Sequence, residues 1–96
     1  MRLYWTLEAR VQLRAIEAYI AQDSPAAAKR TIARLIQRAR QAGDLPHSGR
    51  QVPEHRRDDL RELPEHPYRI IYRIQAEQVD IVTVWHVRRL LPGGEL

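Results

Sequence analysis

The segment that most constrains this chain lies near its C-terminal end: YRIIYRI at residues 68–74, a polar QAEQ at 75–78, then VDIVTVWH at 79–86. Both apolar runs are rich in β-branched and aromatic residues, and so short a polar link between two such runs is the signature of a β-hairpin. With Ala76 and Glu77 at the turn, period-two alternation predicts the register. Ile74 faces Val79, Tyr72 faces Ile81, Ile70 faces Thr83 and Tyr68 faces Trp85 on one side of the ribbon. On the other side Arg73 lies across from Asp80, Ile71 from Val82 and Arg69 from Val84, with His86 diagonally near Arg69. The first face is apolar and is expected to meet helices. The second is a shallow surface holding an arginine and a histidine.

The helices are legible upstream. Ala9, Leu13, Ile16 and Ile20 recur at helical spacing, with Arg10, Arg14 and Glu17 on other faces, so residues 7 to 22 form an amphipathic helix capped by Thr6. Asp23, Ser24 and Pro25 end it and start the next, with Ser24 as cap and Pro25 at the first helical position, where a missing N–H is harmless. The second helix runs to about Ala42 with Ala28, Ile32, Leu35, Ile36 and Ala39 along one side, and Gly43 is its expected stop. So tight a junction predicts an antiparallel helical hairpin. RLYWT at 2–6 reads as a short first strand. Residues 44 to 59, with Pro46, Gly49, Pro53 and a run of charges, read as a loop. Leu60 to Leu63 is a short strand ended by Pro64 and Pro67, and residues 88–96, with Pro92, Gly93 and Gly94, read as a frayed tail. The expected fold is therefore α+β: an N-terminal strand, a two-helix hairpin, then a three-stranded antiparallel sheet, in one domain over 1–96.

Composition narrows function by exclusion. The chain has no cysteine, so neither a disulfide framework nor a thiolate zinc site can form. His47, His55, His66 and His86 lack pairwise metal-ligand spacing and any cysteine companion, so no metal site is expected. No apolar run is long enough to cross a bilayer and the N-terminus lacks a signal-type segment, which points to the cytoplasm. The formal charge of +4 is unevenly spread, because the excess of basic over acidic residues lies in the first half of the chain. Every basic residue except Lys29 is an arginine. Guanidinium pairs bidentately with carboxylate or phosphate, so an acidic protein partner or a nucleic acid both suit this surface.

Five segments in order, DSPAAA at 23–28, PHSGR at 46–50, LRELP at 60–64, YRIIYR at 68–73 and VWH at 84–86, resemble the RelE/ParE toxin superfamily over nearly the whole chain. The resemblance implies the toxin of a plasmid- or chromosome-borne type II toxin–antitoxin module, which arrests growth and is held in a hetero-oligomer by an antitoxin from the adjacent gene. A flexible acidic antitoxin segment that orders on binding would suit a small basic toxin, and the resemblance implies no small-molecule cofactor.

The superfamily has two branches. RelE-like members cut messenger RNA on the ribosome, and ParE-like members poison DNA gyrase. RNA cleavage needs a base for the ribose hydroxyl, a cation for the phosphate and an acid for the leaving oxygen. Arg69 matches the family arginine that faces the phosphate, and Arg88 or Arg89 falls near a second. The lysines of the RelE central loop and the tyrosine after its last strand have no counterpart here. A YoeB-like set could still be assembled from Glu54, Arg69 and His86. The long helical hairpin and its SPAAA junction look more like ParE members, so gyrase inhibition is the favoured expectation, ribosome-dependent RNA cleavage the alternative, and a basic DNA- or protein-binding module a third reading. The candidate contacts for antitoxin or target are Arg30, Arg34, Arg38, Arg50, Arg61, Arg69, Arg88 and Arg89. Arg73, across from Asp80, reads as an ordinary cross-strand pair. Arg69 has no acidic neighbour in the predicted register and suits either a phosphate or plain solvent. The Tyr68, Tyr72 and Trp85 stripe could stack bases, but it falls on the core face, where packing accounts for it.

Overall fold

Two side-chain caps launch the helices. The computed structural model describes residues 1–89 and 91. Helix α1 (Leu7–Ala21) begins where Thr6 Oγ1 accepts the Ala9 N–H at 3.1 Å, and α2 (Pro25–Asp44) where Ser24 Oγ accepts that of Ala27 at 3.1 Å. Pro25 occupies the first turn of α2, as expected. The helix does not stop at Gly43 but continues to Asp44, and Leu45 N–H closes it on Gln41 O at 2.7 Å. Gly43 is there for proximity. The N-terminal ammonium donates to Gly43 O at 3.0 Å, and a Cβ on Gly43 would come within 3.2 Å of Met1 O.

The strands are β1 (Arg2–Trp5), β2 (Arg50–Gln51), β3 (Leu60–Glu65), β4 (Tyr68–Ile74) and β5 (Gln78–His86), joined into one sheet of order β1-β5-β4-β3-β2. A single 3₁₀ turn at Pro46–Ser48 precedes β2. The α+β architecture matches expectation, but the sheet has five strands and is mixed, because β1 runs parallel to β5 from Arg2 beside Gln78 to Trp5 beside Ile81. Strand β3 passes through Pro64 instead of ending there. A proline is tolerated because β2 pairs only with Arg61 and Glu62, leaving Pro64 on an open edge.

The hairpin register holds at the turn end, with Ile74 opposite Val79, Arg73 opposite Asp80 and Tyr72 opposite Ile81. It then shifts: Ile71 opposes Thr83, Ile70 opposes Val84, Arg69 opposes Trp85 and Tyr68 opposes His86. Val82 is the extra residue of a β-bulge, which reverses the facing of residues 83–86 relative to β4. Thr6 explains its location. The same hydroxyl that caps α1 lies 2.8 Å from Ile81 O and 3.0 Å from Val82 O, so the start of α1 is bonded to the irregular backbone.

The two faces of the sheet carry separate apolar clusters. Facing the helices, Leu63, Ile70, Tyr72, Val79, Ile81 and Val84 pack against Ala9, Leu35, Ala39 and Ala42. On the far face Val52, Leu60, Ile71, Val82 and Leu91 form a smaller cluster with Trp85 against it. Trp85 therefore leaves the helix-facing side where the simple register put it. Leu91 is buried in this second cluster, while residues 90 and 92–96 of the expected tail lie outside those described.

Candidate functional site

Arg69 points to the far face of the sheet, where the fold has buried it: only 8% of the residue is exposed. Its expected freedom is corrected by two acids. Glu62, also buried, comes from β3, and its Oε1 accepts from Arg69 Nε at 2.8 Å and from Nη2. Glu54 comes from the loop after β2 and takes the guanidinium in a fork, with Nη2 to Oε1 at 2.8 Å and Nη1 to Oε2 at 2.9 Å. The remaining Nη1 direction faces Arg89 O at 3.5 Å. A guanidinium has five N–H donors, and all of these are directed at protein acceptors.

The cluster extends at both ends. Arg50 Nε donates to Glu62 Oε2, with its own side chain 70% exposed, so two arginines balance two carboxylates. Glu54 Oε2 also accepts the Leu91 N–H at 3.0 Å, which ties the C-terminal segment to the loop. These contacts have the expected electrostatic effect. Hydrogen bonds from Arg69 hold Glu54 down from 4.5 to about 2 against the opposing effect of burial, and the bond to Glu54 in turn raises Arg69 above the ordinary arginine value. A carboxylate that titrates so low is a poor proton acceptor near neutrality, where a general base needs a pKa close to the working pH. An open groove of about 630 Å³, lined by Arg50, Pro53, Glu54, Glu62, Pro64, Arg69 and Val87, lies over the cluster.

His86 is elsewhere. It opposes Tyr68, whose ring it meets edge-on at 5.9 Å between centroids, and Tyr68 packs against the helix-facing core. Its Nδ1 accepts the Arg88 N–H at 3.1 Å. The structure thus joins Glu54 to Arg69 and places His86 on the opposite side of the sheet. Among the described residues no cluster of three His, Asp or Glu side chains is arranged to hold a metal ion, and no helix is long and apolar enough to cross a membrane.

The other arginines sort by how far the fold has used them. Arg61 is largely buried and clamps a turn, donating to Asp58 Oδ1 at 2.6 Å, Asp58 O at 2.9 Å and Gly49 O at 3.0 Å. Arg38 donates to Pro64 O at 2.8 Å and lies 3.5 Å from Glu65, and the more exposed Arg34 lies 3.8 Å from the same carboxylate. Arg89 stacks its guanidinium 4.0 Å from the Trp85 ring centre. Arg30 and Arg88 are exposed. Arg73 and Asp80 form the expected pair at 3.7 Å. Glu62 is the partner of Arg69 that sequence reasoning missed. The turn that sets Glu65 opposite Tyr68 places Glu62 opposite Ile71, two residues along from Arg69, so the register of the β3–β4 hairpin was the signal that could have found it.

Similarity places this geometry in a family. A family model described as the ParE toxin of the type II toxin–antitoxin system parDE matches residues 3–91. Y4kP of Sinorhizobium fredii, whose name marks it as a candidate toxin, is 40% identical over 93 residues, covering 95% of this chain and 93% of its own. Toxin RelE2 of Caulobacter vibrioides is 38% identical over 90 residues, covering 93% of this chain and 98% of its own. A solved chain from the chromosomal ParDE toxin–antitoxin system of P. aeruginosa shares the fold, with a TM-score of 0.75 at 20% identity over 90% of this chain and 95% of that one. With a family match running almost from end to end and toxin-named relatives spanning nearly the full length, the chain belongs to the ParE toxin family of type II toxin–antitoxin systems.

Proposed function

We propose that this toxin arrests growth by binding DNA gyrase in the cytoplasm, without cutting RNA, and that the antitoxin encoded beside it holds it inactive. The observation that carries the reading is the closed state of Arg69. An endoribonuclease of the RelE or YoeB kind needs an arginine free to meet phosphate and a proton donor beside it. Here the guanidinium is saturated by Glu54 and Glu62, Glu54 is too acidic to serve as base, and His86 is across the sheet. A poison that works by binding needs none of that acid–base set. The ParE family match supports the same branch.

For the antitoxin, the surface that fits an acidic segment is the side of α2 that borders β3, where Arg30, Arg34 and Arg38 follow one another at four-residue spacing, the first two exposed and Arg38 anchored on Pro64 O. The groove beside Arg50 and Val87 and the exposed Arg88 and Arg89 are the candidate contacts for the target.

Ribosome-dependent cleavage is the second reading, favoured by the name of the Caulobacter relative. One pair of assays separates the two. Purified toxin is expected to inhibit gyrase supercoiling or trap gyrase–DNA breaks, and to leave messenger RNA on programmed ribosomes intact by primer extension. Codon-positioned cuts that disappear in both Arg69→Ala and His86→Ala, in protein that still binds its antitoxin, would overturn the gyrase reading.

A further inference from the structure

The chain leaving β5 is pinned almost residue by residue. Val87 N–H donates to Pro67 O at 2.9 Å, Arg88 N–H to His86 Nδ1 at 3.1 Å and Arg89 N–H to His86 O at 3.0 Å. Arg89 O faces Arg69 Nη1 at 3.5 Å, and Leu91 N–H donates to Glu54 Oε2 at 3.0 Å. The Leu91 side chain is buried in the far-face cluster with Val52, Leu60, Ile71 and Val82. The last two backbone ties both end on the Arg69–Glu54 fork, so one ion pair sets where the backbone of Arg89 and Leu91 lies.

The side chains carried on this backbone are open. Arg88 and Arg89 are exposed, and among the described residues neither guanidinium has a hydrogen-bond acceptor or an ion-pair partner. Arg89 is steadied by Trp85, whose ring centre lies 4.0 Å away. Arg61 and Arg69 are the contrast, with donors directed at acceptors inside the fold. Two guanidinium groups with donors to offer, on a backbone that is already ordered, suit an anionic surface and give up little conformational freedom on meeting it.

An ionic cluster is a poor choice if stability is all that is required. Apolar residues of the same size often hold a fold as well as a buried ion pair, or better. What the pair adds is direction, because the fork keeps Glu54 in one place with Oε2 aimed at one N–H. We propose that Glu54 and Arg69 are positioning residues for the contact between this toxin and its target: the fork docks the C-terminal segment, and the docked segment presents Arg88 and Arg89 to an anionic patch. The proposal rests on the reading of these two arginines as target contacts. In it Arg69 acts through the backbone of its neighbours and touches no phosphate.

Two measurements on the full chain test this. Hydrogen exchange of purified toxin, freed of antitoxin, reports docking. In Glu54→Ala the Leu91 amide should exchange at least about tenfold faster, a larger change than in the amides of β4 and β5, which follow global unfolding. The soluble toxin level that half-arrests growth, quantified in cells, reports the contact whatever the target, so loss of the gyrase reading in the supercoiling assay leaves this test standing. Glu54→Ala and the double variant Arg88→Ala, Arg89→Ala should each raise that level several-fold. Combined, the three substitutions should raise it no further than the arginine pair does, because a positioning residue then has nothing left to position. Glu54→Gln, which keeps an oxygen for the Leu91 N–H, should fall between wild type and Glu54→Ala in both measurements. A Leu91 amide no more affected than those of β4 and β5 would overturn the proposal. So would losses that multiply in the combined variant, or an arginine double variant that arrests growth as wild type does.

Discussion

Arg69 shows how one residue can have the sequence context of a catalyst and the environment of a brace. Its two carboxylates arrive from different elements, Glu62 from β3 and Glu54 from the loop, and Glu54 also holds Leu91. Removing the cation would leave the buried Glu62 with only the largely exposed Arg50, and Glu54 with only the Leu91 N–H. Arg69→Ala is therefore expected to destabilise the fold by roughly 3–5 kcal/mol, a large share of what a domain this size has, measurable as a fall in the urea midpoint. Acid should act through the same cluster. Glu54 titrates lower folded than unfolded, so its stabilising contribution is complete above about pH 4.5 and is lost as pH falls toward 2. Glu54→Gln should flatten the acid limb of the stability profile in that window and leave its shape near neutrality unchanged. An acid limb of unaltered slope would show that Glu54 is not paired in solution.

At the scale of elements, two threonine- or serine-capped helices differ in what the cap does. Ser24 only caps, while Thr6 caps α1 and also bonds the bulged backbone of β5. Ser24→Ala should cost about 1 kcal/mol, the usual value of a cap, and Thr6→Ala about 2, because it also undocks the helix from the sheet. Equal losses in chemical denaturation would mean that the Thr6 contact to β5 contributes nothing. The glycines at the two ends of the connection after α2 provide a second contrast. A Cβ at Gly49 would sit 2.5 Å from the Tyr72 hydroxyl and 2.6 Å from Glu62 O, one of them backbone, and that hydroxyl is fixed by its own bond to Pro46 O at 2.6 Å. Gly49→Ala should therefore destabilise by at least about 2 kcal/mol through overpacking. Gly43→Ala meets Met1 O at 3.2 Å and the Leu3 side chain at 3.6 Å, a milder crowding than at Gly49. The helix-propensity gain of up to about 1 kcal/mol should offset part of that crowding, so Gly43→Ala is expected to cost clearly less than Gly49→Ala.

The whole molecule is a sheet with a helical layer on one side and a loop-covered ionic cluster on the other, and its charge is concentrated on the helical layer. On α2 no acidic residue occurs before Asp44, while Lys29, Arg30, Arg34, Arg38 and Arg40 are spread along it. If the antitoxin lies there, these charges at the rim should govern how fast the complex forms more than how tightly it holds. Reversal of Arg30, Arg34 and Arg38 together is expected to slow association by about tenfold or more at low salt and to flatten its salt dependence. Stopped-flow association of toxin with antitoxin checks this, and unchanged rates would move the contact elsewhere. In cells, expression of the toxin alone should arrest growth and co-expression of the adjacent gene should restore it. Normal growth with soluble toxin verified would count against toxin action by this chain.

What the sequence alone determined is local. The caps at Thr6 and Ser24, the two helices, the β4–β5 hairpin near its turn and the Arg73–Asp80 pair all depend on residues close in the chain, so periodicity and cap chemistry were enough. The family likeness was legible too, because it rests on short motifs in order. Tertiary structure decided the rest. The parallel pairing of β1 with β5 joins residues nearly eighty apart and has no local mark. The bulge at Val82 is stabilised from outside the hairpin by Thr6, so the alternation of VDIVTVWH could not reveal it, and one extra residue was enough to move Trp85 to the other face. The environment of Arg69 followed the same rule. Its partners lie 7 and 15 residues upstream on a strand and a loop, and only when β3 pairs with β4 and the loop folds over the sheet does an arginine that looks free for phosphate become fully bonded within the protein.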